Sequence, residues 1–348
     1  MSGVQTRIVG PDEGDQRVDR YLRRLFPHLG QGRIEKMCRK GELRVDGGRV
    51  KPATRVSVGQ SVRIPPLPDP GEAKPRAAGA RISEADTQMI RASVVYRDDH
   101  LIAINKPPGL PTQGGTGVTR HVDGLSEALR FGAEEKPRLV HRLDRDTSGL
   151  LLLARSRTAA RGLTEALRHR ATRKIYWAAV AGVPQPKAGT IKYALVKAPG
   201  HGRGGENEKM RCLHPDDIEA TPDAKRAVTD FTVVSSLGSR AAWVAMVPVT
   251  GRTHQLRAHM AEIGHPIAGD GKYGGSSQEN LGNGWGAGLG GEISRKLHLH
   301  ARTLILEHPV TGATLTLSAP LPDHMQRTWD YVGWTASDAP LDPFEPGI

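Results

Sequence analysis

The chain has 348 residues, which is long enough for two domains, one of them with a sizeable hydrophobic core. Lys and Arg exceed Asp and Glu by 49 to 37, and the net charge of +12 favours a polyanionic partner, above all nucleic acid. No stretch reaches the roughly 18 apolar residues of a membrane span, and no signal peptide is apparent, so we expect a soluble cytoplasmic protein. Cys38 and Cys212 form no C-x-x-C pair, which argues against a disulfide framework or a zinc site.

Positive charge is concentrated at the N-terminal end of the chain. Residues 1–65 contain 14 Lys or Arg against 7 Asp or Glu. Within this segment, residues 17–26 and 32–40 have the apolar spacing of two helices, and residues 42–50 alternate around an Asp-Gly-Gly turn that predicts a β-hairpin. Two basic helices followed by a small sheet predict an RNA-binding module over residues 11–65. The basic residues expected to contact RNA are Arg20, Arg33, Lys36, Arg39, Lys40 and Arg44.

The remaining chain predicts a larger domain between two irregular segments. Residues 66–91 are rich in Pro, Ala, Gly and charged residues, which predicts a linker. In residues 92–325, strand-like segments outnumber helical ones and often follow one another. We therefore expect an α+β domain with a mixed, mostly antiparallel sheet. Residues 335–348 have the composition of a disordered tail.

The fourteen histidines call for a test of metal binding. His254 and His259 are five residues apart on a predicted helix, which places them off a common face, and no H-E-x-x-H sequence is present. His298 and His300 have the spacing of a strand, but no carboxylate or cysteine accompanies them. Two glycine-rich stretches match neither the P-loop nor the dinucleotide-binding fingerprint. We therefore expect neither a metal nor a cofactor.

Residues 141–156 read HRLDRDTSGLLLLARS, where a charged segment runs directly into four leucines. The apolar residues on both sides predict two buried strands that hold the intervening turn rigidly. Asp144 would lie in this turn between Arg142 and Arg145. A carboxylate held in place beside permanent positive charge suits a nucleophile or a base. A surface ion pair or a cap on the turn is the alternative role for Asp144.

Residues 141–149 resemble the H-R-L-D-x-x-T-S-G signature of RluA-type pseudouridine synthases, whose aspartate is the essential catalytic residue. Residues 11–65 resemble an S4 RNA-binding domain, which several members of that family carry. The resemblance covers residues 11–65 and 91–320. Other stretches of the family pattern follow in the expected order, and these are NKPPGL at 105–110, RKIYWAAV at 173–180, PVTGRTHQLRAH at 248–259, GHPIAGDGKYG at 264–274 and LHAxxL at 299–304.

The resemblance implies a role for several residues. Asp144 would act at the ribose, either by attacking C1′ or by taking a ribose proton to give a glycal. Tyr176 corresponds to the tyrosine that lies against the flipped uracil, and Arg252 to the arginine that pairs with the catalytic aspartate. Arg142 corresponds to the arginine that takes the vacated place in the RNA stack, with an ordinary phosphate contact as the alternative. Because the reaction exchanges no electrons and no external group, it needs no cofactor.

Within the family, the chain resembles the C type, which modifies several uridines of 23S ribosomal RNA. Gln113 stands where histidine is expected, which keeps the D type as an alternative. We expect a monomer that acts on 23S ribosomal RNA or on a large-subunit assembly intermediate. A glycoside hydrolase would need two carboxylates flanking the bond, and Asp146 is too close to Asp144 to serve as the second. A non-catalytic S4 RNA-binding protein would explain the basic N-terminus but not residues 141–156.

Overall fold

The computed structural model describes residues 3–67, 82–115, 118–169, 171–198, 208–274 and 293–344. The chain divides into two compact units, Met1–Arg81 and Ile82–Ile348. Within the described ranges, no helix has the length and apolar character needed to cross a membrane.

The first unit packs two helices and short strands around one apolar core. Helices α1 (Val18–Leu25) and α2 (Gln31–Lys40) each bury an apolar face in that core. The predicted hairpin is present, and Asp46 and Gly47 turn it with positive φ angles of 47° and 76°, as a type I′ turn requires. The strands are β1 (Gln5–Ile8), β2 (Gln16–Arg17), β3 (Arg44–Val45), β4 (Gly48–Arg49), β5 (Arg55–Val56) and β6 (Ser61–Ile64).

This unit extends beyond the predicted bounds of 11–65. Strand β1 pairs antiparallel with β6, and Val9 and Leu67 are both buried in the core. The sequence did not predict β1 because its QTRI stretch has a single apolar residue, Ile8, whose side chain is 62% exposed. Pairing with β6, and not burial of its own side chains, holds this edge strand in place.

The second unit is built on an eleven-stranded sheet in the order β13-β12-β14-β15-β11-β16-β10-β8-β7, with β17 beside β16 and β9 beside β10. Among the described strands, β10 and β16 pair in parallel and all other pairs are antiparallel. This topology confirms the predicted α+β class with a mixed, mostly antiparallel sheet. The strands are β7 (Val94–Arg97), β8 (Leu101–Lys106), β9 (Arg138–Leu139), β10 (Ser148–Ala154), β11 (Arg173–Ala181), β12 (Ala188–Lys197), β13 (Met210–Leu213), β14 (Lys225–Leu237), β15 (Ala241–Pro248), β16 (Leu299–Glu307) and β17 (Thr314–Ser318).

Helices cover both faces of this sheet. Because side chains alternate along a strand, β11 and β15 send Trp177 and Trp243 to one face and their neighbours to the other. Trp329 packs on the first face, which we call the tryptophan face, and Leu256 and Met260 pack on the second, which we call the α6 face. The helices are α3 (Glu84–Ala92), α4 (Val122–Leu125), α5 (Arg157–Ala166), α6 (Gln255–Glu262) and α7 (Asp323–Val332).

The structure corrects the predicted linker at residues 66–91, because α3 (Glu84–Ala92) begins inside it. The side chain of Ser83 caps this helix by accepting a hydrogen bond from the backbone N–H of Asp86, and Ile90 is fully buried. The Pro- and Gly-rich stretch before the helix dominated the composition of the whole segment and hid its apolar positions. Residues 68–81 of the predicted linker lie outside the described residues.

The C-terminal end also contains structure that its composition did not predict. In the predicted disordered tail at 335–348, Asp342 has a buried side chain that accepts a hydrogen bond of 2.8 Å from Arg173 Nε on β11. Helix α7, which the sequence analysis did not identify, buries Trp329 in the tryptophan face. This ion pair, together with the packing of Ala339 and Phe344 on the tryptophan face, holds a segment that composition alone cannot distinguish from a disordered one. Residues 345–348 lie outside the described residues.

Candidate active site

A cavity of about 160 Å³ brings together segments that are far apart in the sequence. The loop before β10 contributes Asp144 and Arg142, β11 contributes Tyr176, and the loop before α6 contributes Arg252. The four residues singled out from the sequence in the larger domain therefore line the same cavity.

The loop that carries Asp144 is anchored where β10 and β16 run in parallel. Gly149 has a φ of 106°, and a side chain there would collide with the backbone oxygen of Ala301, so only glycine allows this close approach. Ser148 Oγ lies 2.9 Å from His300 Nδ1, and His300 Nε2 lies 3.1 Å from the backbone oxygen of Ala319. The imidazole thus donates to the carbonyl and accepts from Ser148. Burial lowers the pKa of His300 to about 3, which keeps it neutral.

Lys106 joins this loop to the segment that follows β8. Its Nζ donates to the backbone oxygens of Pro107, Leu110 and Arg145, each at 2.9 Å. The side chain is fully buried, and this burial lowers the pKa of Lys106 to about 7 against the attraction of nearby carboxylates. The lysine of NKPPGL therefore has a structural position beneath the loop.

Two side chains fix the backbone at the start of the same loop. His141 Nε2 accepts a hydrogen bond of 2.9 Å from the backbone N–H of Leu152, and burial lowers the pKa of His141 to about 3. Thr112 Oγ1 donates to the backbone oxygen of Leu143 at 2.7 Å and accepts from its N–H at 3.1 Å. The histidine of HRLD is therefore a neutral acceptor that sets the loop, while the aspartate two residues after Arg142 faces the cavity.

Asp144 faces a cation that is itself held in place. Its Oδ2 lies 3.7 Å from Arg257 Nη1, and its side chain is 22% exposed. Arg257 is buried and donates two hydrogen bonds to the fully buried side chain of Asp270, from Nε at 2.7 Å and from Nη2 at 2.8 Å. Burial opposes the charged form of Arg257, but Asp270 and then Asp144 outweigh it and raise the pKa of the guanidinium. The bidentate pair fixes the direction in which Nη1 points.

This geometry corrects the predicted partner of Asp144, which was Arg252. Arg252 is exposed, and its Nε donates a hydrogen bond of 3.1 Å to the backbone oxygen of Arg226. The chain turns at His254, whose φ is 52°, and only then enters α6. Arg252 therefore stays at the rim of the cavity, whereas Arg257 lies inside the helix and beneath Asp144. Both arginines belong to GRTHQLR, and the sequence did not reveal which one is buried.

His254 is a functional candidate that the sequence analysis considered only as a metal ligand. Its Nε2 lies 3.9 Å from Asp144 Oδ2, and its Nδ1 lies 3.0 Å from Tyr273 Oη. Tyr273 Oη already accepts a hydrogen bond of 2.8 Å from the backbone N–H of Met210, so its own proton is available for Nδ1. That arrangement places the imidazole proton on Nε2, the atom nearest to Asp144. Burial lowers the pKa of His254, although Asp144 opposes this shift.

Tyr176 forms another wall of the cavity. It lies on β11 opposite Met246 of β15. Burial and, to a smaller extent, the charge of Asp144 raise the pKa of Tyr176. The phenol is therefore protonated at neutral pH and offers both a flat ring and a hydroxyl group to the cavity. Leu299 of β16 adds an apolar surface beside it.

The basic residues predicted to contact RNA are all on the surface. In the first unit, α2 carries four of them, two in its last turn, where a positive charge also suits the helix dipole. Arg142 is exposed at the rim of the cavity in the second unit. The exposed residues of the first unit are Arg20, Arg33, Lys36, Arg39, Lys40 and Arg44.

Within the described part of the chain, no group of three or more His, Cys, Asp or Glu side chains is arranged to hold a metal ion. The histidines with strand spacing have other partners. His298 Nε2 lies 2.8 Å from Thr328 Oγ1, and His300 bonds to Ser148 and Ala319 as described above.

Comparisons with known proteins identify the family of this chain. A family model described as RNA pseudouridylate synthase matches residues 100–262, and an S4 domain model matches residues 16–62. The ribosomal large subunit pseudouridine synthase C of Salmonella typhimurium is 35% identical over 328 residues, which cover 93% of this chain and 95% of that protein. The protein of the same name from Haemophilus influenzae is 35% identical and covers 94% of each chain. The solved structure of human RNA pseudouridylate synthase domain containing 4 has a TM-score of 0.57 and 32% identity, covering 71% of this chain and 95% of that one.

Proposed function

Because the chain belongs to the RNA pseudouridylate synthase family, we propose that it isomerises uridines of large-subunit ribosomal RNA to pseudouridines. The observation that carries the proposal is the cavity in which Asp144 faces Arg257 and His254, with Tyr176 on a neighbouring wall. The two bacterial relatives are named for the ribosomal large subunit, and each aligns over more than nine-tenths of both chains. Their names support the C type over the D type for this chain.

In the proposed reaction, Asp144 acts at the ribose of the target uridine. The carboxylate either attacks C1′ as the bond from uracil N1 to C1′ breaks, or takes a ribose proton to give a glycal. The detached uracil then turns, and its C5 forms the new bond to C1′. In the first route the bond between the Asp144 carboxylate and C1′ breaks in this step, and in the second route the carboxyl group returns the proton to the ribose. C5 loses its hydrogen and N1 gains one, so the product is an isomer and neither a metal nor a cofactor takes part.

The residues around Asp144 hold and orient the carboxylate. Arg257 and the Nε2–H of His254 both face Oδ2, which limits the carboxylate to few orientations. Tyr176 presents its ring to the flipped base, where stacking offsets part of the few kcal/mol that base flipping costs. Arg142 and Arg252, at the rim, contact the RNA and not the reacting atoms.

The exposed cations of the first unit make the sequence-independent contacts with RNA. Phosphate contacts by Lys and Arg supply much of the affinity in protein–nucleic acid complexes and position the substrate. The protein would act in the cytoplasm as a monomer, on 23S ribosomal RNA or on an assembly intermediate of the large subunit. The S4 model match at 16–62 supports this use of the first unit.

A glycosidase, which also breaks a glycosidic bond, is a poorer match to the cavity. Of the described residues that line it, Asp144 is the one carboxylate. Asp146 is exposed and does not line the cavity. Hydrolysis by the usual pair of carboxylates therefore has no second partner.

The proposal is tested by mapping pseudouridines in ribosomal RNA. Cells that lack this protein should lose specific pseudouridines of 23S ribosomal RNA, and the wild-type gene should restore them. A gene with Asp144→Asn should not restore them, whereas one with Asp146→Asn should. The proposal is wrong if the same sites remain modified in cells without the protein.

A further inference from the structure

The loop that joins β15 to α6, residues 249–254, carries two residues of the proposed site. Arg252 lies at the rim of the active-site cavity, and His254 lies beside Asp144. We call this segment the rim loop. Helix α6 begins directly after it with Gln255, whose side chain is 4% exposed and lines the same cavity. The proposed reaction assigns no role to Gln255, and the partners of its buried amide show what this side chain holds.

The amide of Gln255 makes four hydrogen bonds, which use both lone pairs of its oxygen and both protons of its nitrogen. Oε1 accepts from the backbone N–H of Arg252 at 3.1 Å and from Thr250 Oγ1 at 2.7 Å. Nε2 donates to the backbone oxygen of Val228 at 2.8 Å and to Thr229 Oγ1 at 3.0 Å. The oxygen therefore holds the rim loop, and the nitrogen holds β14.

The orientation of this amide is fixed by its backbone partners. Oxygen and nitrogen cannot change places, because the N–H of Arg252 can only donate and the carbonyl of Val228 can only accept. The threonines extend the network. Thr250 Oγ1 accepts a hydrogen bond of 3.0 Å from the N–H of Val228, and Thr229 Oγ1 lies 2.9 Å from His259 Nδ1 on α6. The network thus joins the rim loop, β14 and α6 through the side chain of Gln255.

This network acts on the chain where it enters α6. His254 has a φ of 52°, a left-handed conformation that residues other than glycine seldom adopt. It lies between Arg252, whose N–H is bonded to the amide oxygen, and Gln255 itself. The turn at His254 brings its Nε2 to 3.9 Å from Asp144 Oδ2. Without the amide, the N–H of Arg252 would lose this acceptor, and the rim loop could relax to a less strained turn.

We propose that Gln255 is a positioning residue of the reaction, whose amide holds the rim loop so that His254 faces Asp144 and Arg252 stays at the rim. The inference rests on the proposed function, because it concerns the same site. Gln255 acts through these two residues and not on the reacting atoms. Its loss should therefore lower turnover through His254 and raise KM for RNA through Arg252.

Gln255→Met tests this division, because methionine has nearly the shape of glutamine but cannot form the four hydrogen bonds. Turnover should fall by at least about tenfold, since small displacements of positioned groups cost that much or more. KM for RNA should rise by as much as it does in Arg252→Ala. When the two substitutions are combined, KM should rise no further than in Arg252→Ala, while turnover should still fall.

Gln255→Glu adds a readout that a structural role alone would not change. An ionised carboxylate only accepts, so it cannot donate to Val228 or Thr229, whereas a protonated carboxyl group can donate once and still accept. Burial raises the pKa of the introduced carboxyl group. Turnover of this variant relative to the wild type should therefore rise as the pH is lowered from about 8 to about 6. Gln255→Met should show no such rise. His259, beside Thr229, stays neutral in this range because burial lowers its pKa to about 4.

Thr328→Val is the matched control. It removes a buried hydroxyl group whose oxygen lies 2.8 Å from His298 Nε2, on the helix that packs on the tryptophan face. It should lower the temperature of thermal unfolding but leave turnover and KM unchanged at a temperature where the variant is folded. All variants are compared at such a temperature, which circular dichroism establishes for each.

Failure of this inference differs from failure of the proposed function. The role of Gln255 is refuted if folded Gln255→Met keeps the turnover and KM of the wild type, or if Gln255→Glu and Gln255→Met respond to pH in the same way. The wild type would still form pseudouridine in both cases. If the wild type forms none in any ribosomal RNA, the proposed function fails and this inference fails with it.

Discussion

The two faces of the large sheet differ in how their interiors are built. On the tryptophan face, the rings of Trp177, Trp243 and Trp329 meet edge to face, with centroids 4.5 and 5.5 Å apart along the row. On the α6 face, the buried ion pair of Arg257 and Asp270 lies beneath Asp144. Apolar packing stabilises a fold without directing chemistry, whereas a buried ion pair fixes geometry at a cost in desolvation. Changes on the tryptophan face should therefore affect stability alone, whereas changes at the ion pair on the α6 face should also affect turnover.

Arg257→Met should have the largest effect, because Arg257 serves both the stability of the fold and the geometry of the site. Asp270 would be left buried without its bidentate partner, and Asp144 would lose the cation that faces it. We expect the free energy of unfolding to fall by about 3–5 kcal/mol and turnover to fall at least about 100-fold. Denaturant unfolding and pseudouridine formation at saturating RNA measure the two effects.

A double variant separates them. Arg257→Met with Asp270→Asn removes the buried negative charge along with its partner, so stability should recover in part. Turnover should stay low, because the cation that faces Asp144 is still missing. Recovery of turnover along with stability would show that the ion pair acts only through folding.

Trp329→Ala should lower the stability of the protein and leave its turnover nearly unchanged. The side chain is fully buried between Trp243 and Trp334, so its removal leaves a large void. We expect the free energy of unfolding to fall by about 3–5 kcal/mol. At a temperature where the variant is folded, its turnover should stay within about twofold of the wild type. A selective fall in turnover would mean that the two faces are coupled.

Four histidines whose pKa is lowered in the folded protein lead us to expect a specific dependence of stability on pH. Burial lowers the pKa of His141, His298 and His300 to about 3 and that of His259 to about 4, against an ordinary value of 6.5. Below pH 6.5 the unfolded chain binds protons that the folded chain does not. The free energy of unfolding therefore decreases as the pH decreases. Each histidine contributes up to about 1.4 kcal/mol per pH unit between pH 6.5 and 4, and none above pH 7.5.

This dependence is measured by denaturant unfolding at pH 7.5, 6 and 5. His300→Gln should lower the slope by about one proton, because it removes one titrating group. Equal stability at the three pH values would mean that these histidines bind protons as readily in the folded protein as in the unfolded chain.

Tyr273→Phe should have the smallest effect and should be confined to the α6 face. It removes the hydroxyl that lies between Met210 N and His254 Nδ1, so the proton of His254 is no longer directed to Nε2. Turnover should fall by about tenfold, which corresponds to about 1.4 kcal/mol, while KM for RNA stays the same. Tyr331→Phe, on the exposed side of α7, is the matched control and should leave both unchanged. A change in KM alone would contradict the role given to Tyr273.

The sequence singled out the loop of Asp144 because several local signals agreed there, although of the two predicted buried strands only β10 is buried and β9, before the loop, is a partly buried strand of two residues. Buried leucines after a charged turn, a glycine at the turn and a long family pattern all pointed to the same residue. The structure places Asp144 and Tyr176 on the walls of one cavity. The neutral state of His141 did not follow from the sequence, because it depends on a hydrogen bond to Leu152 and on burial.

The sequence could not assign the arginine that faces Asp144. Arg252 and Arg257 are five residues apart in one stretch, and the left-handed turn at His254 decides which is buried. The fixing partner, Asp270, is 13 residues beyond Arg257 and meets it only in the folded chain. A pair of residues this far apart leaves no periodic pattern in the sequence from which their contact could be predicted.

Helices α3 and α7 were missed for a different reason. Their apolar residues, such as Ile90 and Trp329, occur within segments that are rich in polar residues, and each helix is held by what it packs against. Tertiary packing supplies most of the stability of short helices, so weak local signals are expected for them.

The central claim is that the carboxylate of Asp144, and not the neighbouring Asp146, performs the chemistry. The most direct measurement is the release of tritium from C5-labelled uridine in ribosomal RNA by purified Asp144→Asn and Asp146→Asn, with RNA binding measured in parallel. Asp144→Asn should bind RNA and release no tritium, while Asp146→Asn should release it at a rate close to that of the wild type. Full turnover by Asp144→Asn would contradict the mechanism.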